Sequence, residues 1–122
     1  MGLNLEQALG VHPAALKLRA ERTGILAANL ANESTPRYQA RDIDFRAALQ
    51  RELDTPGDAA PPRFADSDSL YRIPSRPSQD GNTVELGIEQ AAFSQNTVDF
   101  QTSLTFLNIK FKGLAAAING NS

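Results

Sequence analysis

Cysteine is absent from this chain of 122 residues, which rules out a disulfide framework and any thiolate metal centre. Tryptophan is missing as well, and histidine occurs once, as His12 beside Pro13. A lone imidazole without cysteine supports neither a structural zinc site nor a nucleophile–base pair. A strong charge of either sign is also lacking: the net charge is −2, which argues against a nucleic-acid binder working through a basic surface. No apolar run approaches the roughly 18 residues that span a bilayer. The opening Met1-Gly2-Leu3-Asn4-Leu5-Glu6 has neither the basic start nor the apolar core of a cleaved secretory signal, so any export is expected to use another route. No phosphate-binding loop, dinucleotide glycine pattern or metalloprotease motif occurs. Catalytic, cofactor and metal residues are therefore expected to be none, with no small-molecule substrate.

What is present is organised by charge and punctuation. Residues 1–52 carry a net +1, residues 53–90 a net −4 and residues 91–122 a net +1. The nearly neutral ends can approach each other without repulsion. At this length the chain is at most one ordinary domain. It reads as a discontinuous one: a helical segment over 1–53, a linker rich in Pro, Asp and Ser over 54–82, and a lead-in with a final helix over 83–122.

Pro13 suits a first helical position, where its missing N–H costs nothing. Leu16, Ala20, Thr23, Ala27 and Leu30 then recur at four-three spacing, the seam of a coiled-coil-like helix. Gly24 inside it is expected to permit a close backbone approach. The helix should stop near Asn32–Ser34, since the residue before Pro36 is pushed out of the helical region, and Asn32 can take the left-handed cap conformation. Asn29, one turn earlier, is not needed as a cap, and an interhelical or intersubunit hydrogen bond is the preferred reading. Thr35-Pro36-Arg37-Tyr38 is a β-turn, expected to be type I with Arg37 outward because type II favours Gly at that position. Tyr38 just beyond it is either a partner-facing anchor or a lid on the chain's own seam. Asp44 is placed to cap a short helix from Phe45 to Leu53, with Phe45, Ala48, Leu49 and Leu53 on its apolar face.

Over 54–82 the sequence changes character: seven Pro and Gly residues break a polar stretch whose large apolar groups are Phe64, Leu70, Tyr71 and Ile73. Four such side chains cannot repay the backbone entropy of ordering the segment, so it is expected to be disordered alone and to order only against a partner. After the turn signal Asp80-Gly81-Asn82, the alternation of Val84, Leu86 and Ile88 reads as a short extended segment. A long helix should follow from near Ile88 to about Asn119. Its seam is Phe93, Thr97, Phe100, Leu104, Leu107, Phe111, Leu114 and Ile118. The expected architecture is all-α, with the two terminal helices paired as a coiled-coil-like hairpin of undetermined direction, a short second helix and a long irregular middle. Val98, Phe106 and Ile109, with Leu18, Ile25 and Leu26, lie off the seams. A two-helix hairpin buries one face of each helix, so these residues point to a second face buried by other chains.

Asp42 and Asp44 are two carboxylates at spacing two, a candidate catalytic pair. A helix cap plus a solvated acid accounts for them, and no acid–base partner stands nearby. Arg19, Arg22, Arg37, Arg41 and Arg46 alternate with acids, as on a solvated or salt-bridged face.

The run Asn29-Leu30-Ala31-Asn32-Glu33-Ser34-Thr35-Pro36-Arg37-Tyr38 resembles the Asn-x-x-Asn-x-x-Thr-Pro-Gly-Tyr signature of bacterial flagellar rod and hook proteins. Ala40-Arg41-Asp42-Ile43-Asp44-Phe45 and Ser103-Leu104-Thr105-Phe106-Leu107-Asn108 are similar to the proximal-rod branch of that family, and Arg37 in place of Gly is the visible departure. The resemblance implies a structural subunit that polymerises in the periplasm into the rod and transmits torque. It also implies export without a cleaved signal through the flagellar type III apparatus. The implied partners are other copies of the chain, other rod proteins, and the adaptor between the MS ring and export gate. Assembly contacts are then expected at Asn29, Asn32, Thr35, Pro36, Tyr38, Phe45, Phe100, Leu104, Phe106, Leu107, Phe111 and Leu114. The rival classes are a soluble helical adaptor, a different proximal-rod protein of the same family, and a small hydrolase using Asp42 and Asp44.

Overall fold

The computed structural model describes residues 9–54 and 69–120. Their elements run α1 (His12–Ala31), β1 (Arg41–Ile43), α2 (Phe45–Asp54), β2 (Ser69–Tyr71) and α3 (Leu86–Ile118). The long terminal helices pack together, as the sequence implied, and helix dominates the fold.

The hairpin is antiparallel. Asn29 near the end of α1 meets Glu89 near the start of α3, and Thr23 meets Asn96. Farther along, Arg19 meets Asp99 and His12 stacks on Phe106. With 20 residues in α1 and 33 in α3, the helices are about 30 and 50 Å long. Much of α3 therefore has no length of α1 to lie against.

The buried stripes differ from the expected seams. On α1 the buried residues are Ala15, Leu18, Leu26 and Asn29, whereas Ala20 and Ala27 are exposed. Two residues expected off the seam, Leu18 and Leu26, are thus among the most buried in the chain. On α3 every second rung of the ladder survives: Phe93, Phe100, Leu107 and Leu114 are half-buried, while Thr97, Leu104, Phe111 and Ile118 are exposed. The rungs that replace them are polar, with Glu89 and Asn96 buried and Ser103 half-buried at seven-residue spacing. A three-four pattern fits two adjacent stripes of one helix equally well. Hydrophobicity favoured one of them, and hydrogen bonds across the hairpin selected the other.

Local chemistry sets the element ends. Asp44 Oδ1 accepts the Ala47 N–H at 3.1 Å and caps α2. At the end of α1, Asn32 stays right-handed at φ −106° rather than taking the left-handed cap. Its side chain instead donates to the Ala28 carbonyl at 2.8 Å and accepts the Thr35 hydroxyl at 3.0 Å. Tyr38 N–H closes the turn onto Thr35 O, and Arg37 sits at φ +64°. With Pro36 at the second position and a positive φ at the third, this is the type II geometry, not the expected type I. A side chain at Gly24 would meet nothing within 4 Å, so that glycine serves no close approach among the described residues.

β1 and β2 pair antiparallel, with Arg41 opposite Tyr71, Asp42 opposite Leu70 and Ile43 opposite Ser69. Residues 55–68, half of the expected linker, lie outside the described residues. Leu86 and Ile88 fall within α3 rather than an extended run, so the helix begins two residues earlier than the alternation indicated.

Candidate assembly surface

Two polar clusters frame the hairpin's closed end. Asn29, fully buried, donates through Nδ2 to Arg41 O at 2.6 Å and to Glu89 Oε2 at 2.9 Å. Its Oδ1 accepts the Arg41 N–H at 3.0 Å, with the Tyr38 hydroxyl at 3.4 Å. The interhelical bond expected of Asn29 is thus present, and half-buried Tyr38 covers it from the chain's own turn. Asn82 forms the second cluster. Its Nδ2 lies within 2.9 Å of the carbonyls of Asn32, Glu33 and Thr35, and its Oδ1 accepts the Val84 N–H at 2.7 Å. The loop before α3 is thereby fastened to the carbonyls of the turn that follows α1.

Asp42 is not a solvated acid. Both its oxygens accept from Arg22 at 2.9 Å, and Oδ2 also accepts from Arg72 at 2.8 Å. Burial alone would push this carboxyl up. The Arg22 hydrogen bonds, the Ile43 N–H and the charges of Arg22 and Arg72 outweigh burial and hold it below its ordinary value. The same bonds raise the Arg22 guanidinium, and burial lowers that of Arg19. Arg19 also lies over the Phe45 ring at 4.1 Å and seats α2 against α1. Neither aspartate faces a titratable group arranged for proton transfer: Asp44 caps, and Asp42 is paired. Among the described residues, no group of three or more acidic, histidine or cysteine side chains can hold a metal ion.

The outer surface of α3 carries two apolar stripes. By helical periodicity Leu104, Phe111 and Ile118 share a stripe beside the α1 contact, and Val98, Phe106 and Ile109 share another farther round. All six are exposed. α1 covers one side of α3, and polar residues such as Gln101, Asn108 and Lys112 separate the two stripes that remain exposed. A second exposed group, Leu70, Tyr71 and Ile73, lies on β2 and just beyond it, with Ile73 at 93% exposure.

The expected contact residues divide accordingly. Asn29 is buried and Asn32, Tyr38, Phe45, Phe100, Leu107 and Leu114 are half-buried, whereas Thr35, Pro36, Leu104, Phe106 and Phe111 are exposed. Sequence reasoning missed Glu89, Asn96, Asn82 and Arg72. The first two had a readable signal, being polar residues at heptad spacing among Phe93, Phe100 and Leu107.

No protein-family model matches the chain. It is 47% identical over 120 residues to a protein of Cereibacter sphaeroides named flagellar basal body rod protein FlgB, covering 92% of this chain and 94% of that one. The chain belongs to the FlgB family. Relatives of the same name from Salmonella typhimurium (40% identical over 134 residues, 97% of each chain) and Aeromonas hydrophila (38% over 130 residues, 98% of each) match almost end to end. FlgB membership makes this chain a structural subunit of the flagellar basal body rod, assembled with other flagellar parts. In this FlgB chain no helix of the described residues is long and apolar enough to cross a membrane.

Proposed function

We propose that this subunit builds the proximal part of the rod and transmits torque through its terminal helices. The observation that carries this reading is the apolar surplus of α3, two stripes that stay exposed even though His12 of α1 stacks on Phe106 in one of them. Leu104, Phe106 and Phe111, with Thr35 and Pro36, face neighbouring subunits. Asn29, Asn32, Tyr38, Phe45, Phe100, Leu107 and Leu114 shape the hairpin that presents them. Those neighbours are further copies, other rod proteins and, at the base, the adaptor joining the MS ring to the export gate. The role is mechanical rather than catalytic, and the chain reaches the periplasm through the flagellar type III apparatus without a cleaved signal. The exposed Leu70, Tyr71 and Ile73, on and just beyond β2, offer a further contact face for those neighbours.

Phe111→Asp and Ile109→Asp, one on each stripe, test this. Each should leave the unfolding free energy of the purified chain, read by urea titration, within about 0.5 kcal/mol of wild type, as for other surface changes. Cells carrying either should express the protein yet neither build rods nor swim. Leu107→Asp, on the α1 side, should in addition lower stability by about 2–5 kcal/mol. Normal swimming with either surface variant contradicts the reading.

A further inference from the structure

Arg72 follows β2 and belongs to the irregular middle of the chain, yet its guanidinium reaches two acids on different elements. Nη2 lies 2.8 Å from Asp42 Oδ2 on β1, and Nε lies 2.6 Å from Glu89 Oε1 on α3. Its backbone N–H donates to Ala40 O at 2.9 Å. Glu89 is fully buried, and its other oxygen accepts from Asn29 on α1. Asp42 is in turn held by Arg22, also on α1. The contacts close a ring from α1 through β1, Arg72 and α3 back to α1.

Two arginines and two carboxylates balance in this ring. Without Arg72 the Glu89 carboxylate would keep the Asn29 amide and the charge of Arg22 but lose its direct ion pair, and an under-compensated buried charge is costly. Apolar burial does not hold β2 in place, since Leu70, Tyr71 and Ile73 are all exposed. The attachment of this segment to the hairpin is therefore chiefly polar: it comprises the β1 ladder, Tyr71 on Arg41, Ser75 on Glu85, and Arg72, which reaches acids on both β1 and α3.

We infer that Arg72 is a positioning residue, a strap that couples order in the middle segment to closure of the two terminal helices. When the segment leaves β1, Glu89 loses its direct ion pair and the α1–α3 contact weakens with it. When the segment is docked, the hairpin is locked and the exposed Leu70, Tyr71 and Ile73 are held in a fixed place.

Amide exchange on the purified full chain tests the coupling, with Arg72→Ala, Glu89→Gln and the double variant compared with wild type. Arg72→Ala should speed exchange on the order of a hundredfold, both in the β1–β2 pair and in the helices around Asn29 and Glu89, in line with the cost of breaking a buried ion pair. Adding Glu89→Gln removes the stranded charge. Helix protection should then return to within about tenfold of wild type, roughly 1.4 kcal/mol, while the strand pair stays open. Helix exchange unchanged by Arg72→Ala would overturn the inference. So would a loss of protection that Glu89→Gln fails to restore.

Discussion

At Arg37 an ordinary side chain occupies a left-handed backbone, φ +64°, beside Gly81, where an added Cβ would sit 3.7 Å from the Arg37 Cα. Such a conformation costs a non-glycine residue roughly 1–2 kcal/mol. Arg37→Gly should therefore raise stability by up to about 1 kcal/mol, offset in part by the greater freedom of the unfolded chain. Arg37→Val should lower it by a similar amount, and urea midpoints of the two variants check the sign. The turn was legible from Pro36, but its type was not, because residue preference at one position yields to the Arg37 N–H bonding Asp80 O, on the peptide whose orientation distinguishes the two types. Asp42 gives a second residue-scale expectation. Its partners hold the folded-state carboxyl below the ordinary value of 3.8. The unfolded state then takes up the proton first as pH falls. The Asp42 contribution is complete above the ordinary value and disappears as pH drops through the lowered one. Wild type should thus lose stability in acid, and Asp42→Asn should be less stable at neutral pH with a flatter acid limb in pH-dependent urea titrations.

Among the elements, helix positions were largely legible, because caps and breakers are local: Pro13, Asn32 and Asp44 lie where the helices begin and end. Which stripe of each helix is buried was not. Ladder counting weighs apolar side chains, whereas Asn96 Nδ2 donating to Arg19 O at 2.9 Å and to Thr23 Oγ1 at 2.8 Å rotates α3 toward its polar rungs. The small strand pair was equally hidden, since β2 offers little apolar burial and is fastened by Arg72. Gly24 tests the element level. It faces open space in the middle of α1, so Gly24→Ala should stabilise the isolated chain by about 0.5–1 kcal/mol, read as a higher thermal midpoint. A thermal midpoint below wild type would mean that α1 meets something at this position.

For the molecule as a whole, the sequence carried the two-ended architecture and the surplus of apolar surface, which follow from composition and periodicity. It did not carry the direction of the hairpin, which depends on Asn29 finding Glu89 and Arg19 finding Asp99 at opposite ends of the chain. The polar ring and the exposed stripes divide the work: one closes the subunit, the other leaves it incomplete. That incompleteness is the central claim, and a side-chain-resolved map of the assembled basal body with this chain traced tests it most directly. Leu104, Phe111 and Ile118, together with Val98, Phe106 and Ile109, should each be covered by side chains of neighbouring subunits. A rod in which these six still face water would contradict the account.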